Sequence, residues 1–253
     1  MILLIDAGNS RIKWACLVGG VIQSGEPVSR SRDTSTDVQT LAQAWAPLPR
    51  PDRIAAVSVI GPEFAAALSS WAAANWQRPI DMVSAQHQAR GVINGYREPE
   101  RLGADRWVAL IAARRIARGA VCIIDCGTAV TLDAMRRDGR HLGGVIIPGL
   151  GLMERLLAEG TEGIGVPGDR SVAADPSPFA TNTGEAVRSG ALYAVVSTIE
   201  RITRETRKVL GRNLHCMVTG GDAERVLPRL SGRFDHQPEL VLKGLAVIVE
   251  EAG

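Results

Sequence analysis

The sequence predicts an α/β protein of two similar halves, each a mixed sheet flanked by helices. Two observations carry that prediction. First, Leu4-Ile5-Asp6-Ala7-Gly8-Asn9-Ser10-Arg11-Ile12-Lys13-Trp14-Ala15 and Ile123-Ile124-Asp125-Cys126-Gly127-Thr128-Ala129-Val130-Thr131-Leu132 share one pattern. Each is an apolar β-rich run, then Asp-x-Gly with a small polar residue, then a second strand-like run, as in a hairpin with a tight turn. A constant offset of 119 residues separates Asp6 from Asp125 and Gly8 from Gly127. Second, each hairpin is followed by strand and helix signals in turn, so the halves are set at residues 1–118 and 119–253.

In the first half, Val21 to Val28 reads as a third strand and Asp37 to Trp45 as a helix with Pro47 beyond it. Ile54 to Ile60 is a β-branched strand stopped by Gly61-Pro62, and Pro62 opens an Ala-rich helix to Trp76, at a position where proline is tolerated. Residues 84–102 read as a long loop, and Gly103 to Arg118 as a helix closed by Gly119. In the second half, strands are expected at Val121–Asp125, Val130–Met135 and Gly144–Ile147, with Asp138-Gly139 turning between the last two. A helix follows Pro148-Gly149 to Ala158, and 159–182 reads as loop, lid or hinge. A long helix over 184–210, a strand at Cys216–Thr219, another helix and a final helix from Leu240 to Glu251 complete the chain.

Composition narrows the function. Apolar residues are 45% of the chain, enough for a substantial core. The net charge is only +2, from 29 basic and 27 acidic residues, which argues against a nucleic-acid binder. The start, Met1-Ile2-Leu3-Leu4-Ile5-Asp6, does not read as a signal peptide, and no apolar run has the length of a membrane span. Cys16, Cys122, Cys126 and Cys216 form no CxxC pair, and His87, His141, His215 and His236 have no metal-ligand spacing. A soluble, cytoplasmic protein is expected.

The Asp-x-Gly turns are the candidate chemistry. In Asp6-Ala7-Gly8-Asn9-Ser10 a turn of small residues exposes successive backbone N–H groups, a nest for phosphate oxygens. Asp6 can hold Mg²⁺ or its water shell, and Lys13 on the next strand can reach a phosphate. Such a turn also closes a hairpin without binding anything; its repetition favours the phosphate reading. In the second turn Thr128 offers a hydroxyl and an N–H to a phosphate oxygen, and Asp125 is available to a cation. Thr131 and Asp133 are left without a role. Thr219-Gly220-Gly221-Asp222, between a strand and a helix, is either a ligand platform or an ordinary Gly-rich turn. Asp105, in the first turn of its helix, reads by composition as a charge that complements the helix dipole.

The paired hairpins resemble the phosphate clamp of the actin-like ATPase and sugar-kinase superfamily, whose ribonuclease H-like domains enclose a cleft. A narrower resemblance lies in Asp6 to Ser10, Tyr96 with Pro99, Leu102-Gly103-Ala104-Asp105-Arg106-Trp107, Asp125-x-Gly-Thr-Ala-x-Thr, Pro148-Gly149-Leu150, Asn182-Thr183 and Ser189-Gly190. In that order they are similar to the type III pantothenate kinase family. Any one of these motifs is unspecific; Gly-Ala-Asp-Arg together with two Asp-x-Gly hairpins is specific.

The resemblance implies ATP-dependent phosphorylation of pantothenate to 4'-phosphopantothenate, the first step of coenzyme A biosynthesis. It makes Asp105 the general base and gives Tyr96, Gly103, Ala104, Asp105, Arg106 and Thr183 to pantothenate. It gives Asp6, Ala7, Gly8, Asn9, Ser10, Arg11, Ile12, Lys13 and Thr128 to ATP, and Asp125 to a monovalent cation, K⁺ or NH₄⁺, besides Mg²⁺. It also implies a homodimer, with pantothenate near the subunit interface. Two departures stand out: the Gly-rich stretch Gly160 to Pro167, and Tyr193 where many relatives have a small residue. The alternatives are another small-molecule kinase of this fold, for sugars or acetate, and a non-catalytic nucleotide-binding regulator of the virulence-accessory type.

Overall fold

A computed structural model of the chain describes residues 1–165 and 176–250. Two compact units emerge. The first comprises Met1–Arg118, Asp138–His141 and the chain from Glu239 on; the second comprises Gly119–Arg137 and Leu142–Pro238.

The first unit opens with β1 (Ile2–Ala7) and β2 (Arg11–Val18), antiparallel with Asp6 opposite Lys13 and Ala7 opposite Ile12. Gly19 and Gly20, both at positive φ, turn the chain into β3 (Val21–Ser24), and β4 (Val28–Ser29) returns to pair with Arg11 and Ile12. The single strand expected over Val21–Val28 is thus split, and Trp14 is the reason. Its carbonyl accepts from Gly25 N and its indole Nε1 donates to the Glu26 carbonyl, drawing the chain across the ring. A Cβ on Gly25 would lie 2.0 Å from that indole, so only glycine makes the crossing.

Helix α1 (Thr34–Trp45) starts three residues before the sequence expectation, because Asp33 caps it. Asp33 Oδ1 accepts from Thr36 N at 2.8 Å and Ser35 Oγ at 2.7 Å. The Ser35 hydroxyl first, then the Thr36 amide, hold the Asp33 carboxyl down at about 2. A depressed carboxylate stabilises the fold above its unfolded value of 3.8 and loses that effect as pH falls through about 2. Thermal melting of Asp33→Ala beside the unsubstituted protein should therefore show a constant gap from neutral pH down to about 4 that narrows towards pH 2. A gap widest at pH 2 would contradict the cap.

Then come β5 (Arg53–Ser58), α2 (Pro62–Trp76) and β6 (Ile80–Met82). The sheet order is β3-β2-β1-β5-β6, with β1, β5 and β6 parallel. The stretch expected as a plain loop over 84–102 holds a small hairpin, β7 (Gln88–Ala89) and β8 (Val92–Ile93), and a 3-10 turn at Pro99–Arg101. The hairpin turns through Arg90 and Gly91, both at positive φ. Helix α3 (Ala104–Ile116) follows and ends before the expected Arg118, at an extended Ala117. Its residues Arg106 to Ala113 are all buried.

The second unit repeats the scheme. β9 (Val121–Cys126), β10 (Ala129–Met135) and β11 (His141–Pro148) are followed by α4 (Leu150–Gly160), and then by α5 (Thr183–Leu210), β12 (His215–Thr219), α6 (Ala223–Val226) and β13 (Asp235–His236). The sheet order is β11-β10-β9-β12-β13, with β9 parallel to β12 and β12 to β13, as β1 is to β5 and β5 to β6. The helix expected after Asp222 is a single turn running into a 3-10 turn at Leu227–Arg229, since Pro228 has no N–H to continue it. Val166 and Pro167 of the Gly-rich departure, and the middle of the expected 159–182 loop (residues 166–175), lie outside the described residues, as does Glu251. The last described element is α7 (Leu240–Glu250), back in the first unit and packed on α3.

Each unit has its own core. In the first, Leu3, Ile5, Ala7, Ile12 and Trp14 form one face of the sheet, covered by Val38, Leu41 and Trp45 of α1 and Phe64, Leu68 and Ala72 of α2. Trp45 sits within aromatic contact of Trp14, Trp71 and Trp76. The α3–α7 crossing is close: a Cβ on Gly244 would lie 2.1 Å from the Val108 carbonyl. In the second unit Cys122, Ile124, Cys126, Cys216 and Val218 pack under Leu150 of α4, Ala191, Val195 and Ile199 of α5, and Ala223 of α6. All four cysteines are buried free thiols, and burial pushes the Cys122 and Cys216 groups up.

Candidate active site

The two turns are alike in backbone and differ in length by one residue. Gly8 N donates to the Arg11 carbonyl, whereas Gly127 N donates to the carbonyl of Ala129, one residue nearer. Register carries that difference to the strands: Asp6 lies across from Lys13, but Asp125 lies across from Thr131. Cross-strand partners on one face interact directly. The first carboxylate thus has a lysine beside it, and the second an uncharged hydroxyl. Asn9, Ser10 and Arg11 are exposed at the first turn, Gly8 is half-buried, and Ala7 and Ile12 are buried in the strands that carry it.

Around Asp125 the backbone is packed to its limit. Gly149 N donates to the Thr128 carbonyl at 2.9 Å, and a Cβ on Gly149 would lie 2.2 Å from the Gly127 oxygen. Asp222 N donates to the Cys126 carbonyl at 2.9 Å, tying the Gly220-Gly221 turn to the end of β9. The Cys126 thiol is pushed up to about 12 by burial first and then by the charges of Asp125 and Asp222, so both carboxylates lie near it. Arg225 spans Asp222 at 3.2 Å and the buried Glu154 of α4 at 3.6 Å. Among the described residues no group of three or more His, Cys, Asp or Glu forms a metal cluster. The donors present are carboxylate and hydroxyl oxygens, which suit hard cations that keep water or phosphate oxygens in their shell.

In the first unit, Asp105 and Arg106 sit in the first turn of α3, entered through Gly103. Asp105 Oδ1 accepts from Arg106 N at 2.7 Å. A Cβ on Gly103 would lie 2.7 Å from that same oxygen, so glycine leaves the carboxylate its place. Arg106, 7% exposed, donates from Nη1 to the Tyr96 hydroxyl at 2.7 Å, and its guanidinium carbon lies 5.5 Å from the centre of the Tyr96 ring. Asn94, 6% exposed, accepts from Tyr96 N and donates to the carbonyls of Gln86 and Pro99. Tyr96, Gly103, Ala104, Asp105 and Arg106 are thus brought into one neighbourhood on a rigid helix start.

Thr183 belongs to the second unit, exposed at the start of α5 behind an Asn182 cap that accepts from Glu185 N. Asn94 was not singled out by the sequence, where it reads as half of an Asn-Gly turn signal. Glu154 and Arg225 carried no signal either, since their pairing joins residues far apart in the chain.

A family model described as type III pantothenate kinase matches residues 2–205. The chain is 41% identical to the type III pantothenate kinase of Nitrosococcus oceani, covering 99% of this chain and 94% of that one. It is 38% identical to that of Methylibium petroleiphilum, covering 100% and 99%. Among solved structures it is similar to the ethanolamine utilization protein EutJ of Carboxydothermus hydrogenoformans, with a TM-score of 0.56 at 15% identity, covering 97% of this chain and 88% of that one. It is also similar to Porphyromonas gingivalis acetate kinase, with a TM-score of 0.55 at 13% identity, covering 99% and 98%. Those two likenesses bear on the fold alone, which is that of the actin-like ATPases.

Proposed function

The chain belongs to the type III pantothenate kinase family, and from that premise we propose that it transfers the γ-phosphoryl group of ATP to the primary hydroxyl of pantothenate. The observation that supports this most is the braced start of α3. Asp105 stands on a helix whose next eight residues are buried, with the Arg106 N–H on its carboxylate and the Arg106 guanidinium held on the Tyr96 hydroxyl. A carboxylate so held can orient the hydroxyl and take its proton as the new P–O bond forms. ADP leaves with the electrons of the cleaved bond.

Arg106 gives positive charge to the acidic end of pantothenate, with Tyr96 and Thr183 as further contacts, and Gly103 and Ala104 leave space for its methyl groups. The turn from Asp6 to Lys13 binds the phosphates of ATP through its backbone N–H groups and the Lys13 ammonium, and Thr128 adds a hydroxyl. Mg²⁺, when bound, offsets phosphate charge. Asp125, with Thr131 rather than a lysine across from it, suits K⁺ or NH₄⁺. The working form is a homodimer.

A coupled ADP-release assay tests this. With pantothenate, ATP, Mg²⁺ and K⁺ the protein should turn over, and replacing K⁺ by Na⁺ should slow it by roughly tenfold or more, by removing a cation from the charged phosphate site. Preference for acetate or N-acetylglucosamine would overturn the acceptor, and no ADP release at all would favour a nucleotide-binding regulator. Equal rates in Na⁺ would remove the cation from Asp125.

A further inference from the structure

We propose that His141 is a positioning residue for pantothenate binding, holding the Tyr96 ring so that its hydroxyl stays in place as the acceptor for Arg106. The inference rests on reading Tyr96 and Arg106 as pantothenate contacts. His141 is fully buried, and its ring stacks on Tyr96 with centroids 5.8 Å apart and planes 17° from parallel. Tyr96 is in turn the partner of Arg106, through its hydroxyl at 2.7 Å and its ring at 5.5 Å. A phenol has two soft torsions. Asn94 fixes the backbone from which the ring hangs, and the imidazole limits the ring plane.

The histidine comes from far along the chain, at the end of the four-residue segment Asp138–His141 that belongs to the first unit. That segment is docked with no slack. Ile93 N donates to the Gly139 carbonyl at 2.9 Å, and Arg140 bridges to Ile93. Gly139 has φ +88, and a Cβ on it would lie 2.0 Å from the Gly91 oxygen. His141 is therefore delivered to Tyr96 by a rigid turn. A pre-ordered Tyr96–Arg106 pair spares pantothenate the ordering cost of two long side chains on binding.

The test is steady-state kinetics on the full chain with a double-mutant cycle. His141→Leu, which removes the flat face, should raise the pantothenate KM about tenfold, with kcat and the ATP KM within about twofold. His141→Phe, which restores the face, should return the pantothenate KM to within about twofold of the original. In a Tyr96→Ala background, His141→Leu should add nothing. Melting curves accompany each variant, and if His141→Leu does not fold, His141→Gln takes its place with the same expected result.

An unchanged pantothenate KM, a His141→Phe as impaired as His141→Leu, or an equal effect without Tyr96 would each overturn the proposal and leave His141 a packing residue. Tyr96→Ala with an unaltered pantothenate KM would instead overturn the underlying assignment of Tyr96, which keeps the two failures distinguishable.

Discussion

Asp105→Asn should lower kcat by about 10²–10⁴-fold, the range supplied by a positioned general base, while ATP binding measured by calorimetry stays within about twofold. The substitution is close to isosteric. Its amide oxygen can still accept from Arg106 N, as Asp105 Oδ1 does at 2.7 Å, and the clearance that Gly103 provides is untouched. The helix start is thus preserved and only the ability to take a proton is lost. If Asp105 served only the helix dipole, the cost would appear in the melting temperature and kcat would hardly move. Turnover within tenfold of the original would remove Asp105 from the base role.

Gly220→Ala should damage the second unit itself. Gly220 sits at φ +98, where L side chains are strained by about 1–3 kcal/mol. Its new Cβ would also lie 2.5 Å from Asp125 Oδ1 and from the carbonyl of Cys126. Forcing a methyl into packed backbone adds about 1–3 kcal/mol. Together they predict a loss of about 3 kcal/mol, or a melting point lower by about 6–12 °C. Because the displaced atoms include the Asp125 carboxylate, the ATP KM should rise as well. Gly61→Ala is the control, since a Cβ there meets nothing within 4 Å. Equal melting points for the two variants would show that the turn yields.

Much of this architecture is legible in the amino-acid sequence alone, and the parts that are differ in kind from those that are not. The hairpins at Asp6 and Asp125 were legible because apolar runs and turn residues are local signals, and so was the helix from Pro62 to Trp76. The division of Val21–Val28 was not, because it depends on Trp14 pulling residues 25 and 26 over its ring. Strands β7, β8 and β13 have two residues each, too short for any period to show. The early start of α1 was missed because its apolar pattern begins inside the helix, while the Asp33 cap lies outside it.

The candidate site divides in the same way. Composition offered Asp105 as a dipole charge, and only the resemblance gave it chemistry. The brace around it, in which Asn94, Tyr96 and Arg106 lock together, joins a loop to a helix and has no signature in the order of residues. The uneven turns could have been noticed, because Lys13 lies seven residues after Asp6 and Thr131 six after Asp125, but their meaning appeared only with the strand register.

The burial of α3 has a practical consequence for anyone retailoring the acceptor. From Arg106 to Ala113 every residue is locked into the interior, so each change there also tests whether the protein holds together. The segment that meets Arg106 through Tyr96, residues 95–101, is largely open at its surface. New acceptor specificities are more safely sought in that rim, with the helix left as the fixed anvil.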